Sequence, residues 1–132
     1  MELTDEPLIL RSPKSPDEWD AYFDLRWRFL RKPWDQRHSS ERDSVDDPAF
    51  HLLLLDRASK ALACGRLHLN AWDEAQIRFM AVDENVRGRG YGSRILKGLE
   101  AEAARRGAKK VVLKTRDSAT EFYAKHGLYS RW

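Results

Sequence analysis

Residues 82–93 read Val82-Asp83-Glu84-Asn85-Val86-Arg87-Gly88-Arg89-Gly90-Tyr91-Gly92-Ser93. An apolar run suited to a strand (Ile77, Phe79, Met80, Ala81, Val82) comes before, and an amphipathic helical run (Ile95, Leu96, Leu99, Ala103) comes after. Three alternating glycines between a strand and a helix let the backbone approach a ligand closely, with its N–H groups turned toward an anion. The start of the following helix adds N–H donors and a partial positive charge. Two arginines inside the loop suit phosphate. The stretch reads as a pyrophosphate cradle.

Spacing narrows the kind of cradle. A P-loop requires G-x-x-x-x-G-K-[ST], and residues 82–93 contain no lysine. The dinucleotide fingerprint requires G-x-G-x-x-G, whereas the order here is G-x-G-x-G behind an arginine. It also needs an acid about 20 residues on, at the end of the next strand. That count reaches Lys109 to Lys114, a basic strand. Both nucleotide readings fail on named positions.

Outward from the loop, the pattern is that of one α/β domain over residues 1–132. Leu8-Ile9-Leu10 makes a short first strand. Ser15-Pro16-Asp17-Glu18 is a helix start with capping serine, proline at the first helical position and glutamate reaching back. The helix carries Trp19, Tyr22, Phe23, Trp27, Phe29 and Leu30 and is expected to end before Pro33. Residues 34–47 read as a polar loop. Strands are expected over 50–56, 61–70 and 76–82. The helix after the glycine loop runs to Arg106 and closes at Gly107. A strand over 111–115 and a last helix over 118–126, closed by Gly127, complete the chain.

Composition bounds the function classes. A chain of 132 residues supports a single core, and 42% hydrophobic with 34% charged residues is ordinary for a soluble domain. The one cysteine, Cys64, excludes a disulfide framework and a cysteine metal cluster; no metal is expected. No apolar run approaches about 18 residues, and the first residues are acidic where a signal peptide is basic. The expected setting is the cytoplasm, away from membrane. The net charge of +3 is unevenly spread. Residues 84–116 hold ten lysines and arginines against three acids, so the rest of the chain carries −4. This basic excess surrounds the loop, where a multiply phosphorylated ligand gains most. Nucleic acid is not the expected partner, because the five tryptophans mostly lie outside the basic segment and build no stacking surface.

The pattern Arg87-x-x-Gly90-x-Gly92 behind Met80-Ala81-Val82 resembles the acetyl-CoA-binding motif of the GNAT N-acetyltransferase superfamily. Ala119-Thr120-Glu121-Phe122-Tyr123-Ala124-Lys125-His126-Gly127-Leu128 resembles the A-x-x-F-Y-x-x-x-G-F segment of the same superfamily, with Leu for the last Phe. The two together cover residues 74–128. Residues 25–33 are similar to the first helix of some bacterial members. The resemblance implies a mixed, mostly antiparallel central sheet flanked by helices, shortened at the C-terminus. It implies acetyl-CoA as co-substrate and direct transfer to a primary amine in a ternary complex. An acyl-CoA-binding regulatory module without catalysis is the alternative.

Roles follow from the same resemblance. Backbone N–H groups at Met80, Ala81 and Val82 would polarise the thioester carbonyl. The backbone of Arg87, Gly88, Arg89, Gly90, Gly92 and Ser93 would hold the pyrophosphate, and Tyr123 would protonate the leaving thiolate. No carboxylate stands on the strand before the cradle, where relatives often place a base. His51, His68, Asp73 and Glu74 are open candidates beside a water chain. Thr115-Arg116-Asp117 replaces an asparagine that often contacts the cofactor. Trp27, Trp34, Asp35, Glu41, Asp43, Asp46 and Asp47 are candidate acceptor contacts for a cationic amine. The chain stops at Trp132, before the strands with which relatives usually continue, so the expectation is an open sheet edge that a second copy covers, or a domain that is naturally minimal or shortened.

Overall fold

The computed structural model describes residues 8–28, 49–114 and 121–124. Its elements run β1 (Ile9–Arg11), α1 (Pro16–Arg26), β2 (Phe50–Leu55), β3 (Ala61–Ala71), β4 (Glu74–Val82), one 3₁₀ turn (Glu84–Val86), α2 (Tyr91–Arg105), β5 (Lys110–Lys114) and β6 (Glu121–Ala124). The strands form a single sheet in the order β1-β2-β3-β4-β5-β6. Neighbours are antiparallel except β4 and β5, which run parallel. A parallel pair needs a crossover connection, and α2 supplies it. The fold is the mixed, mostly antiparallel sheet with helices that the sequence implies.

Local chemistry explains the borders. At α1, the Ser15 side chain accepts from the Glu18 N–H at 3.1 Å, with Pro16 in the first turn. Glu18 reaches one residue farther back than a capping box requires: its Oε1 accepts from the Lys14 N–H at 2.8 Å. At the far end of α2, Gly107 takes φ +87°, the left-handed conformation that closes helices.

Each face of the sheet has its own core. One holds Ile95, Leu99 and Ala103 of α2 against Leu52, Leu54, Leu67, Ala75, Ile77 and Val111. The spacing of four in α2 puts these three side chains on one stripe. Gly65 lets that stripe settle, because a Cβ there would lie 2.8 Å from both Ile95 and Leu99. The other core packs Tyr22 and Leu25 of α1 on Leu53, Leu55, Cys64 and Ala81.

One expected element is corrected. The last helix, predicted over 118–126, is over residues 121–124 a strand, β6, antiparallel to β5 with Tyr123 opposite Val112. Two adjacent aromatics favour a strand, and the ladder occupies the edge of β5 that a helix would leave open. The edge of β5 is paired within the chain, and among the described residues β6 becomes the end strand of the sheet.

Candidate active site

The cleft is built at the end of β4. Among the described residues the β4–β5 ladder ends at Ile77 opposite Leu113, while β4 continues to Val82. Just past that point β4 bulges. Arg78 pairs with Arg66 and Ala81 with Cys64, so Phe79 and Met80 together stand opposite Gly65. Phe79 takes φ +59°, a left-handed conformation rare for a bulky residue.

Beyond the bulge the strand turns one backbone N–H away from β3. The Asp83 N–H donates to the Leu62 carbonyl at 2.9 Å, toward β3. Alternation along an extended strand then turns the N–H and C=O of Val82 the other way, to the side on which β5 lies. The Val82 carbonyl accepts from Arg87 Nε at 3.3 Å, which ties the glycine loop to that same side.

Asp83 sets the root of the loop. Its side chain is 1% exposed and accepts from the Asn85 N–H at 2.9 Å, while Lys60 Nζ lies 3.7 Å from its other oxygen. The Val86 N–H returns to the Asp83 carbonyl at 3.0 Å. The chain next passes through Gly88 at φ +84° and Gly90 at φ +83° and enters α2. Gly90 is the N-cap residue, no side chain caps the helix, and its first turn holds no acid. The opening N–H groups and the positive end of the helix dipole are thus left facing outward, an anion site. A Cβ at Gly88 or Gly90 would meet nothing within 4 Å. Glycine is needed there for the backbone angle and not for space.

Strand end and loop enclose a cleft of about 330 Å³, lined by Met80, Ala81, Val82, Arg87, Gly88, Gly90, Tyr91 and Gly92. Seven of these were singled out in the sequence. Arg89 and Ser93 are exposed beside the cleft rather than lining it. Tyr91 was missed, since as the middle residue of Gly90-x-Gly92 it read as a spacer.

The base candidates lie elsewhere. His51 is buried under α1, its Nδ1 2.6 Å from the Tyr22 hydroxyl. His68 Nδ1 is 3.2 Å from the Arg66 guanidinium and its Nε2 3.1 Å from Asn70 Oδ1. Glu74 opens β4 at the end remote from Val82; the Asn70 amide, at 2.9 Å, and Lys110 hold its carboxyl below the usual range, which weakens it as a base. Asp73 lies in the same turn, where its carbonyl accepts from the Lys109 N–H at 2.7 Å. Among the described residues, no carboxylate or imidazole lines the cleft.

Tyr123, on β6, is level with Val112, and Val112 with Gln76 of β4. Six residues separate Gln76 from Val82, about 20 Å of extended strand. Trp27 caps the C-terminal end of α1. Trp34, Asp35, Glu41, Asp43, Asp46, Asp47 and residues 115–117 lie outside the described residues.

Cys64 stands opposite Ala81 with its thiol donating to the Phe79 carbonyl at 3.6 Å. Burial pushes the thiol up to about 12, so it stays protonated and is a poor nucleophile. The basic segment divides in two. Arg105 and Arg106 pair with Glu102, Lys110 pairs with Glu74, and Lys109 lies over the Trp72 ring, all at the far end of α2. Arg87, Arg89 and Arg94 remain at the cleft end.

The sequence profile of the acetyltransferase (GNAT) family matches residues 19–128. The chain belongs to that family. The match takes in most of α1, the cleft and both motifs read from the sequence. Solved structures of GNAT proteins repeat the fold. Glucosamine-6-phosphate N-acetyltransferase from Arabidopsis thaliana superposes with a TM-score of 0.62 at 20% identity, over 85% of this chain and 84% of its own. An aminoglycoside 6'-N-acetyltransferase solved with coenzyme A gives 0.67 at 20% identity, over 80% and 60%. A GNAT family N-acetyltransferase from Escherichia coli, in complex with CoA, gives 0.66 at 15% identity, over 82% and 62%.

Proposed function

We propose that the protein transfers an acetyl group from acetyl-CoA directly to a primary amine. The observation that carries this reading is the cleft itself. One wall is a strand end past the point where, among the described residues, its ladder with β5 stops, and the other is a left-handed glycine loop opening an uncapped helix. The loop and helix start suit a pyrophosphate, and the apolar Met80–Val82 wall suits a pantetheine arm. CoA bound in two of the fold relatives agrees with this use.

Acetyl-CoA brings an already activated thioester, so no covalent enzyme intermediate is required. The chain contributes position and electrostatics. The Val82 N–H is a preorganised donor for the carbonyl oxygen, where negative charge grows during transfer. Holding carbonyl and amine together supplies much of the acceleration. The protonated Cys64 is consistent with direct transfer rather than an acyl-cysteine route. Among the described residues no base lines the cleft, which favours deprotonation of the amine through a water chain.

For the proton taken up by the thiolate, the family motif offers the Tyr123 hydroxyl, and solvent is the alternative that the level of Tyr123 beside Gln76, rather than Val82, favours. With Tyr123 as the donor, replacing it by Phe lowers turnover about tenfold or more at unchanged CoA affinity. Unchanged turnover would assign that proton to solvent. The whole reading is tested by thiol release from acetyl-CoA across a panel of small amines, amino acids and lysine peptides. Amine-dependent release supports it. Tight CoA binding with no release on any amine favours the regulatory module.

A further inference from the structure

We propose that Arg26, acting with Arg66 and Arg78, is a positioning residue for acetyl transfer: its guanidinium clamps the Phe79 ring and so holds the bulge that aims the end of β4 into the cleft. The inference rests on the acetyl-CoA reading above and deepens it.

Phe79 is the unusual residue of the strand. A bulky side chain at positive φ persists only where the surroundings over-determine it. What surrounds it is charge. The Arg26 guanidinium carbon lies 3.8 Å from the Phe79 ring centroid, that of Arg78 4.8 Å and that of Arg66 4.9 Å. All three are inside the range in which a cation is drawn to a ring face. Arg26 and Arg66 are fully buried, and arginine is a costly filler at such positions. Arg26, the last residue of α1, also lies 5.0 Å from the Phe23 ring and 5.5 Å from the Tyr22 ring. The clamp is therefore anchored on the helix as well as on the strand. The backbone of Phe79 is fixed separately, by the Cys64 thiol on its carbonyl.

The bulge has a geometric consequence. Two residues of β4 occupy one step of β3, which changes the direction of the strand where pairing with β5 has ended. Met80, Ala81 and Val82 wall the cleft only in that direction. Loosening the ring would let the strand end drift, and the donor to the thioester carbonyl would drift with it. The pyrophosphate loop is rooted separately, at Asp83, so the two functions are separable.

The test compares wild type with Arg26→Met, Arg26→Lys and Arg78→Met. Each is titrated calorimetrically with CoA and with acetyl-CoA, and the carbonyl resonance of bound [carbonyl-13C]acetyl-CoA is recorded. The expected result is CoA affinity within about twofold of wild type throughout. In Arg26→Met, acetyl-CoA should bind about fivefold more weakly relative to CoA, the worth of a typical hydrogen bond, and the carbonyl resonance should return toward its free position. Arg26→Lys should restore most of both, and Arg78→Met should show a smaller change of the same sign. An unchanged ratio and resonance in Arg26→Met would overturn the proposal, as would equal loss of both ligands, which marks a purely structural role. Should Arg26→Met not fold, Arg78→Met decides by the same readouts. Wild type binding neither ligand would overturn the acetyl-CoA reading and this proposal with it.

Discussion

Gly90 carries two constraints at once, a left-handed backbone at φ +83° and a place at the mouth of the anion site. Its substitutions separate them. Gly90→Ala adds only conformational strain, about 1–2 kcal/mol, and should lower the melting temperature with a modest loss of CoA affinity. Gly90→Glu adds a negative charge against the phosphates and should abolish detectable CoA binding in calorimetry. Cys64 makes a different prediction. Its thiol, raised to about 12 by burial, keeps its proton in the native state while the unfolded chain loses it from about pH 9. Native stability should therefore fall as pH rises between about pH 9 and pH 11, by about 1.4 kcal/mol per unit more than in Cys64→Ala. Denaturant midpoints at several pH values check this. At this scale, most of the cleft was legible, because glycines and an apolar strand end announce backbone roles that spacing alone reveals. Tyr91 and Asp83 were not. Asp83 looks like any loop acid until the fold buries it, and the clamp on Phe79 joins residues 26, 66 and 78, which no local pattern connects.

Among the elements, the short turn between β4 and α2 does more than its three residues suggest. Asp83 caps it, and capping residues are each worth about 1 kcal/mol. Asp83→Ala should destabilise the fold by about that amount and weaken CoA binding several-fold, while acetyl-CoA and CoA suffer alike. That equality, read by calorimetry, distinguishes the root of the loop from the Phe79 clamp. Strand and helix borders near the cleft were legible because serine, proline and glycine punctuate them and apolar spacing fills them. The stretch around Phe122 and Tyr123 was misread as helix over residues that form β6. Its aromatics fit either state, and the deciding influence is the edge of β5, a partner distant in sequence. The bulge at Phe79 was equally invisible, since nothing but its partners distinguishes that phenylalanine from a regular strand residue.

Over the whole molecule, charge and topology converge on one end of the sheet. The basic excess of residues 84–116 reads in sequence as one block around the ligand, yet Arg105, Arg106, Lys109 and Lys110 are engaged with Glu102, Trp72 and Glu74. Arg87, Arg89 and Arg94 lie at the cleft end, so binding should depend on salt moderately. The Kd for CoA is expected to rise a few-fold between about 0.05 M and about 0.5 M salt, rather than by the orders of magnitude seen for nucleic-acid binders. The parallel β4–β5 pair, with α2 as its crossover, is the feature that puts the end of β4 beside a helix N-terminus. The central claim is that this juxtaposition binds acetyl-CoA, and calorimetric titration with acetyl-CoA, against ATP and NAD as controls, tests it most directly. The account predicts one-site binding with a micromolar Kd for acetyl-CoA and none comparable for the controls. Absence of acetyl-CoA binding, or equal binding of ATP, would contradict it.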